Sequence, residues 1–384
     1  MTPAARLTAA IEVLDRILAG APAEQALTNW GRASRFAGSG DRHAVRDLVY
    51  DALRCKRSFA ALGGTETGRG LILGGLRAQG ADIAALFSGE GHAPAPVSEA
   101  DAAQAPAGFA ALDCPDWLGP HLQASLAADF EPVMRALQHR APVFLRVNLR
   151  KTNLAAAQAA LRQDGIETVA HDLSKTALQV TANARKIQNS AAYLSGLVEL
   201  QDAASQAVTD MVPLRDGQRV LDYCSGGGGK ALALAARAKV QMFAHDADPR
   251  RMRDLPDRAK RAGVSVTITD NPAKTGPYDV ILTDVPCSGS GSWRRDPQGK
   301  WALTEPGLTA VCAVQAEILD KVAPLLAANG VLAYATCSML HDENEAQIAA
   351  FLLRHNGWIL QAQRRFTPLL GADGFFVALL TRKG

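Results

Sequence analysis

The chain lacks the features that would assign it quickly. Its formal net charge is only +3, from 41 Lys and Arg against 38 Asp and Glu, so any affinity for nucleic acid has to come from local clusters of cations rather than an overall field. There is no C-x-x-C pair. The six cysteines stand at 55, 114, 224, 287, 312 and 337 with no histidine at ligand spacing, which argues against a zinc site or a disulfide framework and for reduced thiols. No charged-then-apolar leader opens the sequence and no uncharged apolar run reaches membrane-spanning length, so a soluble cytoplasmic protein without metal is the expectation. No internal repeat is evident, and nothing calls for an obligate oligomer, so a monomer is expected.

What is present is 384 residues, 48% hydrophobic and 21% charged, enough for two or three domains with buried cores. Residues 5 to 19 set Leu7, Ile11, Leu14 and Leu18 at spacings of four and three, the stripe of an amphipathic helix. A second helix is expected to start at Asp41 as its N-cap and to carry Val45, Leu48, Val49, Ala52 and Leu53. Residues 88 to 113 are rich in Ala, Pro and Gly without apolar period, so they read as a linker or long loop. From Pro142, VFLRVNL and ALQVTA alternate like strands around a helix-like stretch from Leu154 to Asp164, a small α+β module. From Arg219, the apolar runs RVLDYC, VQMFAHD, VSVTITD, YDVILTDVP and GVLAYATCS alternate with helical stretches. That alternation predicts an α/β domain with a doubly wound, mostly parallel sheet, and GADGFFVALLTR adds a last strand. The expected division is 1–87 helical, 88–140 linker and connecting helices, 141–204 the small α+β module, and 205–384 the α/β domain.

The first strand of that domain runs into Asp222-Tyr223-Cys224-Ser225-Gly226-Gly227-Gly228-Gly229-Lys230 and then a helix. Glycines at a strand-to-helix turn let backbone approach a ligand, and the helix start supplies free N–H groups. A nucleotide-like cofactor fits there, although the dinucleotide fingerprint is only loosely matched and Ala231 after Lys230 excludes a phosphate-binding Walker loop. The competing reading of this run is a plain flexible turn. The second strand ends at Asp246 and Asp248, where a carboxylate can accept ribose hydroxyls; the simpler alternative is that an Asp here caps the next helix. Asp270 after the third strand and Asp284 after the fourth continue a series of carboxylates at strand ends.

Two cysteines finish the series. Asp284-Val-Pro-Cys287-Ser and Thr336-Cys337-Ser338 put a thiol beyond each of two strand ends. A lone cysteine there is more often a small buried hydrophobe; a pair beside a nucleoside site suits covalent catalysis. Carbon-5 of cytosine is too weak a nucleophile to take a methyl group from a sulfonium, but thiolate addition at carbon-6 turns the ring into an enamine that can. A carboxyl such as Asp284 would stabilise that adduct at N3.

The motifs DYCSGGGGK, DVPCSGSGSWRRDPQGKW and YATCSMLHDENE resemble those of Sun/NOP-type RNA cytosine-C5 methyltransferases from about Pro142 to the C-terminus, with the likeness strongest to bacterial members acting on small-subunit (16S) ribosomal RNA. The resemblance implies a Rossmann-like methyltransferase domain, S-adenosyl-L-methionine as cofactor and RNA as partner. By the same resemblance Cys337 is the nucleophile and Cys287 assists release, with Asp284 and Lys230 beside them. Cys224, Ser225, Gly226, Gly227, Gly228, Gly229, Lys230, Asp246, Arg251, Asp270 and Asp284 line the cofactor site. It also implies that residues 1–87 are NusB-like and bind RNA and that 141–204 recognise RNA. Two basic segments suit that partner: seven Lys/Arg between residues 31 and 57 (Arg32, Arg35, Arg42, Arg46, Arg54, Lys56, Arg57) for phosphates, and Arg294, Arg295, Lys300 and Trp301 near the cleft for an unstacked base. A solvated helix face and structural tryptophans are the bland readings of the same residues.

The chain departs from the family pattern at Gly226-Gly227, where Ala-Pro is usual, at Ala231, where Thr is usual, and at Asn271-Pro272. A looser loop and weaker cofactor binding are expected, and Asp270 is a less secure match than Asp246. A transfer-RNA substrate, a DNA-type scheme with Cys287 as nucleophile, and an RNA-binding assembly factor with impaired catalysis are the alternative readings.

Overall fold

Apolar stripes at helical spacing build the first part of the chain. In the computed structural model, which describes residues 1–383, helices Pro3–Leu18, Ala23–Ala33, Ser39–Arg54, Lys56–Gly63 and Gly68–Ala78 bury Leu7, Leu14, Val45, Val49, Leu53, Leu71 and Leu73 in one core. The first helix begins as its sequence dictates, with the Thr2 hydroxyl accepting from Ala5 N and proline in the first turn. Asp41, by contrast, is not the N-cap of the third. That helix starts two residues earlier, and Asp41 reaches back from its first turn to accept from Gly38 N at 3.3 Å and from Arg6 Nε at 2.8 Å. A first-turn carboxylate serves the free N–H groups and the positive helix end as well as a cap would.

Residues 88 to 113 follow an irregular path, broken by the short turns Glu99–Asp101 and Gly108–Ala111. They are nevertheless pinned to the helices: Arg69 donates to the carbonyls of Ala95 and Pro96 and to both oxygens of the buried Asp101. Long-range arginine contacts of this kind leave no local period to read.

The basic segments come out differently from the expectation. Of the seven cations between 31 and 57, Arg46 pairs with Glu24, Arg54 with Asp51, Lys56 with Glu66 and Arg57 with Asp116, leaving Arg32, Arg35 and Arg42 exposed. Trp293–Ala302, expected as a basic and aromatic platform beside the cleft, instead belongs to the helical unit. Trp293 is buried, the Trp301 indole donates to Leu53 O at 2.7 Å, and the buried Lys300 donates to Arg54 O at 3.2 Å. Arg54 returns the bond to Arg294 O at 2.8 Å, and Arg295 alone of the four is exposed. Free carbonyls at the C-terminal end of Ser39–Arg54 need donors, and this segment supplies them.

The second unit comprises Ala141–Ser292 and the chain from Leu303 onward. Its strands are β1 Val143–Val147, β2 Glu167–Ala170, β3 Ala177–Ala182, β4 Val198–Leu200, β5 Arg219–Asp222, β6 Gln241–Ala244, β7 Val266–Ile268, β8 Tyr278–Asp284, β9 Leu326–Thr336, β10 Trp358–Phe366 and β11 Phe375–Arg382. The first four form an antiparallel sheet in the order β2-β3-β1-β4, with helix Leu154–Gln163 against it. The rest form one sheet in the order β10-β11-β9-β8-β5-β6-β7, parallel from β9 to β7 and antiparallel at β11 and β10. Strands β2 and β4 are too short for a pattern. β10 escapes the sequence because only Trp358 and Phe366 at its ends are buried, so no alternation marks this edge strand. Two apolar layers cover the sheet, one around Val208, Leu232, Val280 and Val377, the other around Leu221, Ile281, Leu332 and Phe351. Among the described residues no helix is long and apolar enough to cross a membrane.

Burial lowers the Lys300 ammonium from 10.5 to about 8, so its charged form opposes folding below pH 8 and that penalty is relieved as pH rises toward 10.5. Lys300→Met is therefore expected to gain most over the parent below pH 8. The difference, followed by urea unfolding, should shrink by on the order of 3 kcal/mol between pH 8 and 10.5; a pH-independent difference would refute a buried ammonium.

Candidate active site

The order of the parallel strands reverses beside β5. The chain runs outward through β6 and β7, then returns to place β8 on the other side of β5, and ligands of open α/β sheets bind at the carboxyl ends around such a switch point. Asp222 ends β5, Asp284 ends β8, Asp246 and Asp270 lie two residues past β6 and β7, and Cys337 follows β9 directly.

The glycine run forms the turn between β5 and helix Gly229–Arg237. Gly228 has φ +78°, and a Cβ there would lie 2.2 Å from Leu255 Cδ1, so the turn and its close packing both require glycine. The loop is tied down from β6: Gly226 N donates to Asp246 Oδ2 at 2.8 Å, Ser225 N to His245 O at 2.9 Å, and Arg251 reaches Asp246 at 3.3 Å. From β1, the buried Arg146 donates to Gly229 O at 2.8 Å. The two carboxylates after β6 thus divide the alternatives between them. Asp246 faces the glycine loop, while Asp248 caps the turn Pro249–Met252 and pairs with Arg250. Asp270 is exposed, and among the described residues no hydrogen bond or ion pair joins it to the loop.

Beneath the loop, both carboxylate oxygens of Asp222 and the Ser225 hydroxyl are buried without a partner at full hydrogen-bond geometry, and only weak contacts from Ser225 and from Ala231 N–H reach the carboxylate. Burial pushes the Asp222 carboxyl up to about 7, and the nearby Asp284 charge adds to the rise. Unsatisfied buried acceptors are costly, and a ligand bearing an ammonium and hydroxyls would satisfy them. These orphaned atoms and the close backbone at Gly226 and Gly228 fit a nucleoside-type cofactor. Among the described residues no group of three His, Cys, Asp or Glu side chains could hold a metal ion.

On the other side of the switch, parallel pairing sets Asp284 opposite Ala335. Cys287 lies three residues beyond the first and Cys337 two beyond the second, and their sulfurs are 3.2 Å apart. The Lys230 ammonium, from the start of the glycine-loop helix, donates to Asp284 Oδ2 at 2.7 Å and lies 4.9 Å from the Phe375 ring centre. Burial alone would depress this lysine, but the charge of Asp284 and the hydrogen bond to it, with smaller contributions from Cys337 and Asp222, raise it above its ordinary value. The Cys287 thiol is pushed well up by its hydrogen bond to Cys337 and by burial, then by the charges of Cys337 and Glu343. Cys224 also rises, through burial and the carboxylates of Asp222, Asp284 and Asp246, so this third thiol stays protonated and inert.

Sequence reasoning missed three participants. Glu343 is fully buried and accepts from Ser288 N at 2.7 Å; it lies within the LHDENE run, so its closeness to Cys337 was a signal. Gln315, from helix Glu305–Val322, donates to Pro286 O at 2.9 Å and to Glu343 at 3.0 Å. Neither it nor Arg146 carried a signal, because both reach the site only through tertiary packing.

Comparison with known proteins matches residues 209–381 to the family model 16S rRNA methyltransferase RsmB/F and residues 114–187 to the RsmF/B-like ferredoxin-like domain. The chain is 34% identical over 285 residues to a ribosomal RNA small subunit methyltransferase B of Citrobacter koseri, covering 70% of this chain and 66% of that protein. The corresponding Serratia proteamaculans protein is 31% identical with the same coverage. The matched region thus spans about two thirds (66%) of the length of these relatives. Among solved structures, PH0851 superposes with TM-score 0.78 over 100% of this chain and 99% of its own at 23% identity. NSun6 from Pyrococcus horikoshii, solved with SFG, gives 0.62 at 17% identity over 70% of this chain and 98% of its own. At those identities the two structures speak for the fold. The cofactor that goes with the matched family is S-adenosyl-L-methionine.

A carboxyl raised from 3.8 to about 7 contributes its full stability below pH 4 and loses it as pH rises toward 7. Asp222→Asn without ligand is expected to gain on the parent across that window, by at most about 4 kcal/mol. Denaturation at pH 4, 5.5 and 7 reads this, and parallel pH profiles would count against the buried, unpaired carboxyl.

Proposed function

We propose, from the premise that this chain belongs to the RsmB/F family of 16S rRNA methyltransferases, that it methylates carbon-5 of a cytosine in RNA, with small-subunit ribosomal RNA as the substrate. The observation that carries the proposal is the pair of sulfurs 3.2 Å apart beside the Lys230–Asp284 ion pair. The family's chemistry, with relatives named for small-subunit ribosomal RNA, supports the choice of substrate.

The two thiols have unequal surroundings. The Lys230 ammonium interacts with Cys337, whereas the Cys287 thiol is held protonated by its hydrogen bond to Cys337 and by burial, with the Glu343 charge adding to both. Cys337 therefore adds its electron pair to carbon-6 of cytosine, making the C6–S bond and leaving enamine character at carbon-5. Lys230 holds Oδ2 of Asp284, leaving Oδ1 to accept from the exocyclic amino group and orient the ring, while the Lys230 ammonium offsets the negative charge that develops on it. S-adenosyl-L-methionine supplies the electrophilic methyl group. Once carbon-5 is methylated its proton passes to water in the cleft, the electrons of that C–H bond re-form the ring double bond, and the C6–S bond breaks to return the Cys337 thiolate. Cys287 stands at 3.2 Å to assist that release.

Gly226 N, Asp246, Arg251 and the orphaned Asp222 and Ser225 atoms bind and orient the cofactor. The Gly226-Gly227 substitution does not leave the loop unsupported, because Arg258 donates to Gly227 O and Asp246 accepts from Gly226. Of the cations between residues 31 and 57, Arg32, Arg35 and Arg42 are exposed and open to phosphate contacts.

Cys337→Ala is expected to abolish transfer of labelled methyl groups to ribosomal RNA. Cys287→Ala should accumulate a protein–RNA adduct that survives a denaturing gel. Robust turnover by Cys337→Ala, or an adduct carried by Cys287 in the parent, would reverse the assignment.

A further inference from the structure

Glu343 is a fully buried carboxylate in the turn His341–Glu343, and among the described residues none of its hydrogen-bond partners is a cation. Oε1 accepts from Ser288 N at 2.7 Å and from Gln315 Nε2 at 3.0 Å. Oε2 accepts from the hydroxyls of Ser288 and Ser338. Burying a carboxylate without a counter-ion costs several kcal/mol even when it is hydrogen-bonded, and a neutral Gln of the same shape would hold the turn at lower cost.

The donors show what the charge gains. Ser288 directly follows Cys287 and Ser338 directly follows Cys337, so one carboxylate ties together the two loops that carry the thiols. The same turn is fixed from behind by Tyr334 OH on Glu343 O at 2.6 Å and by Asn344 Nδ2 on Ser338 O at 2.9 Å. Several ionisable groups act on the sulfurs. Lys230 interacts with Cys337, Asp284 and Asp222, while Glu343 interacts with Cys287, and Tyr334 with Cys287, Cys312 and Cys224.

We infer that Glu343 is a positioning residue that clamps the two cysteine loops at their observed separation and holds its negative charge beside Cys287. The inference rests on the proposed roles of the two cysteines, and its chemistry does not require RNA to be observed. A negative charge beside one thiol of a hydrogen-bonded pair and an ammonium that interacts with the other together set which sulfur holds the proton, as electrostatics set any coupled titration.

The test is site-resolved alkylation of the reduced full-length chain by iodoacetamide, read by mass spectrometry across pH. In the parent, Cys337 should alkylate at lower pH than Cys287; the opposite order overturns the inference whether or not any variant folds. In Glu343→Gln, whose amide can bond both hydroxyls once they turn to accept, the Cys287 profile should move to lower pH by roughly one unit. The thermal midpoint should rise, and S-adenosyl-L-methionine affinity should be unchanged. A Cys287 profile that stays in place while the protein remains folded overturns the role of the charge. Failure of the underlying cysteine assignment would show separately, as turnover by Cys337→Ala with these alkylation profiles intact.

Discussion

The parallel register between β8 and β9 is the constraint from which the rest of the site follows. With Asp284 opposite Ala335, the loops beyond the two strands leave the sheet side by side and their sulfurs meet at 3.2 Å. A slip of one residue would turn the side chains of a strand to the opposite face. The register is secured well away from the chemistry, by apolar side chains on both faces of the strands, among them Val280, Ile281, Leu332 and Ala333.

Around that geometry the charges are few and placed with opposite effect. Lys230 comes from the glycine-loop helix and Glu343 from the turn after β9, so the two elements that flank the thiols also supply the two signs. Each buried charge would be unfavourable alone. Lys230 is compensated by Asp284, and Glu343 by four neutral donors. Asp222 and Ser225 are left unsatisfied at the point where a cofactor would complete them.

The helical unit illustrates why basic composition is a poor guide to a surface. Seven cations crowd residues 31 to 57, yet four are consumed by carboxylates within the unit. Lys300 and Trp301, apt in sequence for holding a nucleobase, are used to complete the end of a helix. Charge counts are legible one residue at a time, whereas pairing depends on partners far along the chain.

Local matters were legible in the residues alone: the helical stripe from Leu7 to Leu18, the alternation of strands and helices after Arg219, the glycines required at the turn after Asp222, and the carboxylates and thiols at strand ends. Each of these depends on neighbours within a few residues or on backbone conformations that one residue type permits. Tertiary structure alone decided that Asp246 rather than Asp248 faces the glycine loop, that Asp270 stands apart, that Trp293–Ala302 joins the helical unit, and that Glu343 and Gln315 brace the cysteines. The physical reason is common to all four. The free energy of a polar or charged side chain depends on which donors, acceptors and charges packing brings to it, and those come from elements tens to hundreds of residues away.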